Sequence, residues 1–211
     1  MKKLIWKLLN KTNFGPALQI FVRSELKENG WFRSFRTKRS VDANGNPIPW
    51  YPYSMIDFLE NRVSKDLTVF EYGAGNSTLW FASKALNVSS VESDQSWMEI
   101  LNKKIAPNTT LYYEDVNSLE YVRKAADLNR KFDIIIVDGR RRVECLKNSL
   151  EALSDKGVII LDNSDRPTYE TGRILLKEAG FKEIKISGIP PIIPMNSSTS
   201  IFYRNANCLD I

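Results

Sequence analysis

From about residue 67 onward, short apolar runs alternate with helical stretches five times in succession, and this rhythm restricts the fold more than any other feature of the chain. Strands are expected at 67–72, 88–92, 110–113, 132–137 and 158–161. Each is short, apolar and rich in β-branched residues, the composition of strands covered on both faces. Helices are expected between them at 77–86, 95–105, 118–129, 142–153 and 168–179. Five βα units in series imply a parallel, doubly wound sheet with right-handed crossovers. Two further strand-like runs, 181–187 and 200–204, follow with a proline-rich loop and no helix between them, so one of them should pair antiparallel. The predicted fold class is α/β: a Rossmann-like, mostly parallel sheet with a C-terminal antiparallel strand pair.

Residues 1–60 have a different texture, basic and aromatic, and are read as an N-terminal helical cap; residues 61–211 are read as one compact unit. A length of 211 residues suits one domain with a sizeable core. In the cap, 16–27 has helical spacing (Leu18, Phe21, Val22, Leu26) and stops at Asn29-Gly30. Trp31-Phe32-Arg33-Ser34-Phe35-Arg36-Thr37-Lys38-Arg39 then interleaves aromatic and basic residues. Asn44-Gly45-Asn46-Pro47 marks a turn, closing a hairpin or a loop. Trp50-Tyr51-Pro52-Tyr53 leads into a helix carrying Met55, Ile56, Phe58 and Leu59. The start, Met1 to Leu9, resembles a signal peptide, but Lys7 and Lys11 interrupt its apolar run and no small-residue cleavage site follows. It reads as a helix or arm packed on the domain, or as a basic amphipathic segment resting on an anionic membrane surface. No apolar run reaches membrane-spanning length. The Asn-x-Ser/Thr sites at Asn76 and Asn87 fall in expected core elements, which favours a cytoplasmic protein.

Composition removes several chemistries. There is no histidine, so imidazole triads and imidazole metal sites are excluded. Cys145 and Cys208 stand far apart and form neither a disulfide framework nor a zinc motif. The formal net charge of +5 is a weak pointer to acidic partners. Carboxylates, lysine, tyrosine or a bound cofactor must do any chemistry.

Ligands of open α/β sheets sit outside the carboxyl ends of the strands. The first expected strand ends in Glu71-Tyr72-Gly73-Ala74-Gly75-Asn76-Ser77. Glycines there allow a sharp turn and close approach of backbone to ligand, with Asn76 or Ser77 available to cap the next helix. The second strand ends at Glu92, where a carboxylate can accept from ribose hydroxyls. A dinucleotide site wants a third glycine, and that position is Thr78. A carboxylate at Glu71 would repel phosphate and suits a cationic sulfonium and amine.

Glu71-x-Gly73-x-Gly75 resembles motif I of class I S-adenosylmethionine-dependent methyltransferases, over about residues 50–204. The resemblance implies the class I methyltransferase fold and S-adenosylmethionine as cofactor. By it, Gly73, Gly75 and Ser77 line the methionine part, Glu71 holds its amine, Glu92 takes the ribose, and Asp115 flanks adenine.

The fourth strand ends in Asp138-Gly139-Arg140-Arg141-Arg142 and the fifth in Asp162-Asn163-Ser164-Asp165-Arg166. Asp138, Asp162 and Asn163 form an oxygen set suited to Mg²⁺ or another divalent cation, similar to that of metal-dependent O-methyltransferases of the catechol and caffeoyl-coenzyme A type. Arg141 stands where those enzymes carry a lysine base. Asp138 or Asp162 can instead act as a metal-free base, or merely contact the cofactor and cap a turn; the three readings stand side by side. Arg140, Arg141 and Arg166, with Arg142, suggest binding of an acceptor carrying phosphate or carboxylate. Among the cap aromatics, Tyr53 is expected to stack on the acceptor, and Phe32 and Trp50 to be core. Pro49-Trp50-Tyr51-Pro52-Tyr53 and the two strand-end runs also look similar to small methyltransferase-like proteins of bacterial surface-polysaccharide clusters.

The sequence therefore predicts an enzyme that O-methylates a small anionic or saccharide acceptor. Rival readings are an NAD-binding oxidoreductase of similar fold, a nucleic-acid methyltransferase, and a non-catalytic binding protein. The nucleic-acid reading lacks an Asn/Asp-Pro-Pro-Tyr/Phe signature at the fourth strand.

Overall fold

The computed structural model describes Trp6 and residues 8–211; the basic start of the chain, 1–5 with Lys7, lies outside the described residues. Seven strands form one sheet: β1 (Thr68–Tyr72), β2 (Asn87–Glu92), β3 (Thr109–Tyr113), β4 (Phe132–Val137), β5 (Leu153–Asp162), β6 (Lys182–Gly188) and β7 (Ser197–Tyr203). Their order is β3-β2-β1-β4-β5-β7-β6. The first five run parallel, and β7 is antiparallel to both of its neighbours. This is the mostly parallel sheet with a terminal antiparallel pair that the sequence rhythm implies. Strand order reverses between β1 and β4, which opens a crevice above their carboxyl ends.

Five helices cover the sheet: α5 (Asn76–Lys84), α6 (Gln95–Asn102), α7 (Leu119–Asp127), α8 (Arg142–Ser149) and α9 (Glu170–Glu178). Ahead of them the cap forms α1 (Phe14–Val22), α2 (Glu25–Glu28), α3 (Trp31–Thr37) and α4 (Tyr53–Glu60). Side chains alternate along each strand. Val69, Ile134, Ile136, Val158 and Ile160 face one layer, built from Met55, Ile56 and Leu59 of α4 with Trp80 and Phe81 of α5. Phe70, Tyr72, Ile135, Val137 and Leu161 face the other, built from Tyr121, Val122, Leu146 and Leu176. The cap thus contributes α4 to the main core. Two local starts follow from hydroxyl and carboxyl caps: Asp94 accepts from the Trp97 amide at 3.0 Å ahead of α6, and Ser118 from the Tyr121 amide at 3.1 Å ahead of α7.

Where boundaries differ from the sequence reading, polar residues hid them. The expected helix 16–27 breaks at Arg23 and Ser24, where the Ser24 hydroxyl accepts from the Lys27 amide at 3.2 Å and restarts the chain as α2. β5 begins at Leu153 rather than 158, through exposed Asp155 and Lys156 that carry no apolar signal. β7 begins at Ser197 rather than 200, because Ser197, Ser198 and Thr199 are buried despite being polar. The turn expected at 44–47 closes a single bridge, Val41 to Pro47, with Asp42 Oδ1 accepting from the Gly45 and Asn46 amides.

The cap is tied to the far end of the chain. Trp31 Nε1 donates to the Ile193 carbonyl at 3.1 Å, and the Tyr53 amide to the Ile189 carbonyl at 3.1 Å. Asn76 Nδ2 donates to the Ser40 carbonyl at 2.6 Å and joins the cap to the β1–α5 loop.

Candidate functional site

A cavity of about 800 Å³ lies above the carboxyl ends of β1, β2 and β4, beneath the cap. One end is backbone. Gly73 adopts φ +91°, and a Cβ there would meet the Gly139 Cα at 2.8 Å. The ends of β1 and β4 therefore touch glycine to glycine. Gly75 is different: its backbone is extended, and a Cβ would meet only the Ser77 hydroxyl, at 3.7 Å. The space over Gly75 belongs to the cavity. Gly73, Gly75, Ser77 and Glu92 all line it, as expected. Glu92 Oε2 accepts from the Ala74 amide at 3.0 Å, and Oε1 from the Ser93 and Asp94 amides at 2.7 and 2.8 Å. Three of about four acceptor positions on a carboxylate are filled, which leaves one for a hydroxyl.

Glu71 is placed elsewhere. It points to the same side of β1 as Val69, beneath the loop, fully buried and outside the cavity lining. Its Oε2 accepts from the Thr78 and Ser90 hydroxyls, Thr78 accepts in turn from the Gly75 amide at 2.8 Å, and Oε1 has no partner. Burial pushes its carboxyl up to about 7, against the pull of these hydroxyls. At this end the carboxylates of Glu92 and Asp94, and not that of Glu71, line the cavity. The helix cap expected from Asn76 or Ser77 is not formed; α5 starts at Asn76 itself. Asp115 is also not brought to the site: it is exposed and caps its own turn, accepting from the Asn117 amide at 2.7 Å. Trp97, which sequence reasoning missed, lines the cavity beside Glu92, and its Nε1 donates to the Ala74 carbonyl at 2.8 Å.

The other end is built of side chains. Arg142 at the start of α8 bonds Asp138 Oδ1 at 2.8 Å and the Gly139, Asp138 and Asp162 carbonyls at 3.0, 3.0 and 2.5 Å. Its Nη1 lies 4.0 Å from Asp162 Oδ2, while Asp162 Oδ1 accepts from Thr199 at 2.6 Å. One guanidinium thus clamps the ends of β4 and β5. Burial pushes Asp138 up to about 6, although Arg142 pulls the other way. Burial, then the charge of Asp138, holds Asp162 well above the usual range. Asp138 lines the cavity; Asp162, 3% exposed, stands behind it. Tyr51, fully buried and with no hydrogen-bond partner on its hydroxyl, is kept protonated by burial and by the charges of Asp138, Glu71 and Asp162.

The expected divalent-cation set does not fit. The Arg142 guanidinium stands between the two carboxylates where a cation would lie, Thr199 holds one oxygen of Asp162, and the Asn163 amide turns to the Ser197 hydroxyl at 3.3 Å. No group of three acidic, Cys or His ligands forms among the described residues.

The arginines divide. Arg141 lines the cavity, but its side chain is held by Glu144 at 2.6 and 2.8 Å and by the Val116 and Ser118 carbonyls, so it steadies the loop before α7. Arg140 and Arg166 line the cavity with no carboxylate partner among the described residues, and so do Lys38 and Arg39 from the cap. Tyr53 is not in this cavity; it lines a separate groove with Glu25, Asp42 and Asp57. Trp50, expected as core, is 48% exposed and lines the cavity instead. Phe32 is half-buried, edge-on to Phe21 and Trp31.

A scan against protein-family models found no match, and a search of curated proteins found none. Among solved structures the chain is similar to the precorrin 8W decarboxylase of Methanobacterium thermoautotrophicum, with 18% identity and a TM-score of 0.55 over 80% of this chain and 97% of that one. It is similar to a Staphylococcus aureus protein assigned as a caffeoyl-CoA O-methyltransferase, with 14% identity and a TM-score of 0.55 over 93% and 100%. A third is precorrin-6y C5,15-methyltransferase of Geobacter metallireducens, with 17% identity and a TM-score of 0.51 over 72% and 86%. At these identities the likeness shows the fold.

Proposed function

We propose that this chain is an S-adenosylmethionine-dependent methyltransferase acting on an oxygen of a small anionic acceptor, such as a phosphorylated or acidic saccharide. The observation that carries the reading is one cavity with two unlike ends: an open glycine loop beside Glu92, and a carboxylate, Asp138, in a lining with Lys38, Arg39, Arg140 and Arg166, which have no carboxylate partner among the described residues. The methyltransferases among the solved neighbours support it through their shared fold.

The donor-side residues fit the cofactor. Gly75 leaves room for close approach, Glu92 keeps an acceptor position for a ribose hydroxyl, and Glu92 and Asp94 put negative charge near a cationic ligand. When bound, S-adenosylmethionine supplies an electrophilic methyl group on sulfur. The protein's own part is positional and acid–base. Asp138, pushed up only to about 6, is mostly ionised at neutral pH and faces the cavity, so it accepts the proton of the acceptor hydroxyl. Arg142 holds it in place through a fixed guanidinium. Lys38, Arg39, Arg140 and Arg166 bind the anionic part of the acceptor, and Trp50 offers an apolar platform. Orientation of the two reactants supplies most of the acceleration.

The test is calorimetric titration and thermal shift with S-adenosylmethionine, S-adenosylhomocysteine, NAD and NADH in parallel. Binding of the two S-adenosyl compounds alone is expected, with a rise in Tm of roughly 5–10 °C near 100 times the Kd. Binding of the dinucleotides alone overturns the reading.

A further inference from the structure

Helix α1 presents an apolar exposed surface. Eight of its nine residues are exposed, Gly15 alone is buried, and Gln19 is its one polar side chain. Phe14, Leu18, Phe21 and Val22 recur at helical spacing and are 75, 42, 56 and 54% exposed. A stripe of this kind on a soluble domain is ordinarily buried against the core. Among the described residues, its aromatic contact is edge-on, Phe21 to Phe32 at 5.2 Å between ring centres. That contact joins it to α3, which adds Phe35, 43% exposed, and the exposed Arg33 and Arg36.

Charge says what covers this face. Residues 1–39 carry ten Lys or Arg and two Glu, a net +8, whereas the remaining residues carry a net −3. The whole positive excess of the protein lies in the segment that bears the exposed apolar helix. A second copy on the same face would set +8 against +8. An anionic lipid surface offers the opposite charge in its headgroups and an apolar layer just below them. No described helix is long and apolar enough to cross a membrane, so α1 would lie in the interface. Lys11 precedes the helix and Arg23 and Lys27 follow it, all exposed, as a helix lying flat among headgroups requires.

We infer that α1 and its flanking cations form a docking face for an anionic lipid surface. The segment continues into Lys38 and Arg39, which line the cavity, so a docked molecule holds its site at the membrane surface. The inference does not depend on the proposed reaction.

It is tested by co-sedimentation of the full chain with phosphatidylcholine vesicles containing phosphatidylglycerol, and with pure phosphatidylcholine vesicles. Binding to the first and little to the second is expected, weakening as salt is raised. Phe14→Glu with Leu18→Glu, and separately Lys11→Glu with Arg23→Glu, should each lower partitioning about tenfold or more, with circular dichroism and Tm unchanged. Because the second pair alters only exposed polar side chains, it remains informative if the first pair unfolds. Absence of binding to both vesicles overturns the inference, as does binding that neither pair weakens. A dimer in analytical ultracentrifugation that Phe14→Glu with Leu18→Glu disperses also overturns it, and assigns the face to a second copy.

Discussion

The two ends of the cavity solve the same problem by opposite means. At the glycine end, the shape comes from backbone: Gly73 against Gly139, an open Gly75, and amides of residues 74, 93 and 94 gathered on one carboxylate. At the acidic end, the shape comes from side chains, with Arg142 strung between Asp138, Asp162 and three carbonyls. Each end also buries a carboxylate beneath the surface, Glu71 at one and Asp162 at the other, but with different support. Glu71 has hydroxyls alone, whereas Asp138 and Asp162 share a guanidinium. The first end therefore depends on its glycines and on Glu92, the second on the Arg142 network.

That contrast is most directly broken by Asp138→Asn. It should lower kcat by about 10²–10⁴ while S-adenosylhomocysteine titrates with unchanged affinity, because it removes the base and leaves the glycine end intact. The parent rate should rise with pH through about 6, as Asp138 loses its proton, and the variant should lose that limb. Equal rates for the two proteins would return the acidic end to a structural role. Next in size, Arg142→Ala leaves buried carboxylates without their cation and should cost about 3–5 kcal/mol, read in urea unfolding at pH 8. The loss should shrink as pH falls through about 6, where Asp138 becomes neutral.

Glu71→Gln sharpens the comparison from the other side. The folded protein holds this carboxyl at about 7, above the usual value near 4.5, so the folded state binds its proton more tightly than the unfolded chain does. The stability it contributes is complete below about 4.5 and is lost as pH rises through 7, to the extent of about 3 kcal/mol. Glu71→Gln should flatten that part of the stability curve, measured as Tm between pH 5 and 8. A slope identical to the parent's would mean that Glu71 is not the titrating group. Smallest, Arg166→Ala should raise KM for an anionic acceptor about tenfold with kcat little changed. A loss in kcat instead would move Arg166 from binding to chemistry.

What was legible in the sequence follows the same division. The place of Gly73, Gly75 and Glu92 in the cavity lining was readable because strand ends and the loop after the first strand mark it locally. The five parallel strands and their helices were readable for the same reason, since each βα unit declares itself by its own periodicity. Asp115 misled because an acidic residue after a strand serves equally well as a turn cap. The arginine run misled because identical residues were given identical roles. Their place on the chain separates them: Arg141, just ahead of α8, reaches Glu144 in its first turn, and Arg142, its first residue, reaches back across the β4–α8 loop to Asp138. Lys38, Arg39, Trp50 and Trp97 had no local signal, because the chain brings them to the cavity only by folding.

The bonds from Trp31 to the Ile193 carbonyl and from Tyr53 to the Ile189 carbonyl tie the beginning of the chain to the loop before its last strand. During synthesis the N-terminal segment emerges first, and these partners emerge more than 130 residues later. These two ties therefore close only after nearly all the sheet has left the ribosome, later than the Asn76 bond to Ser40 and the packing of α4 on α5. The roof that carries Lys38, Arg39 and Trp50 is thus fastened last at its outer edge, by carbonyls of residues 189 and 193.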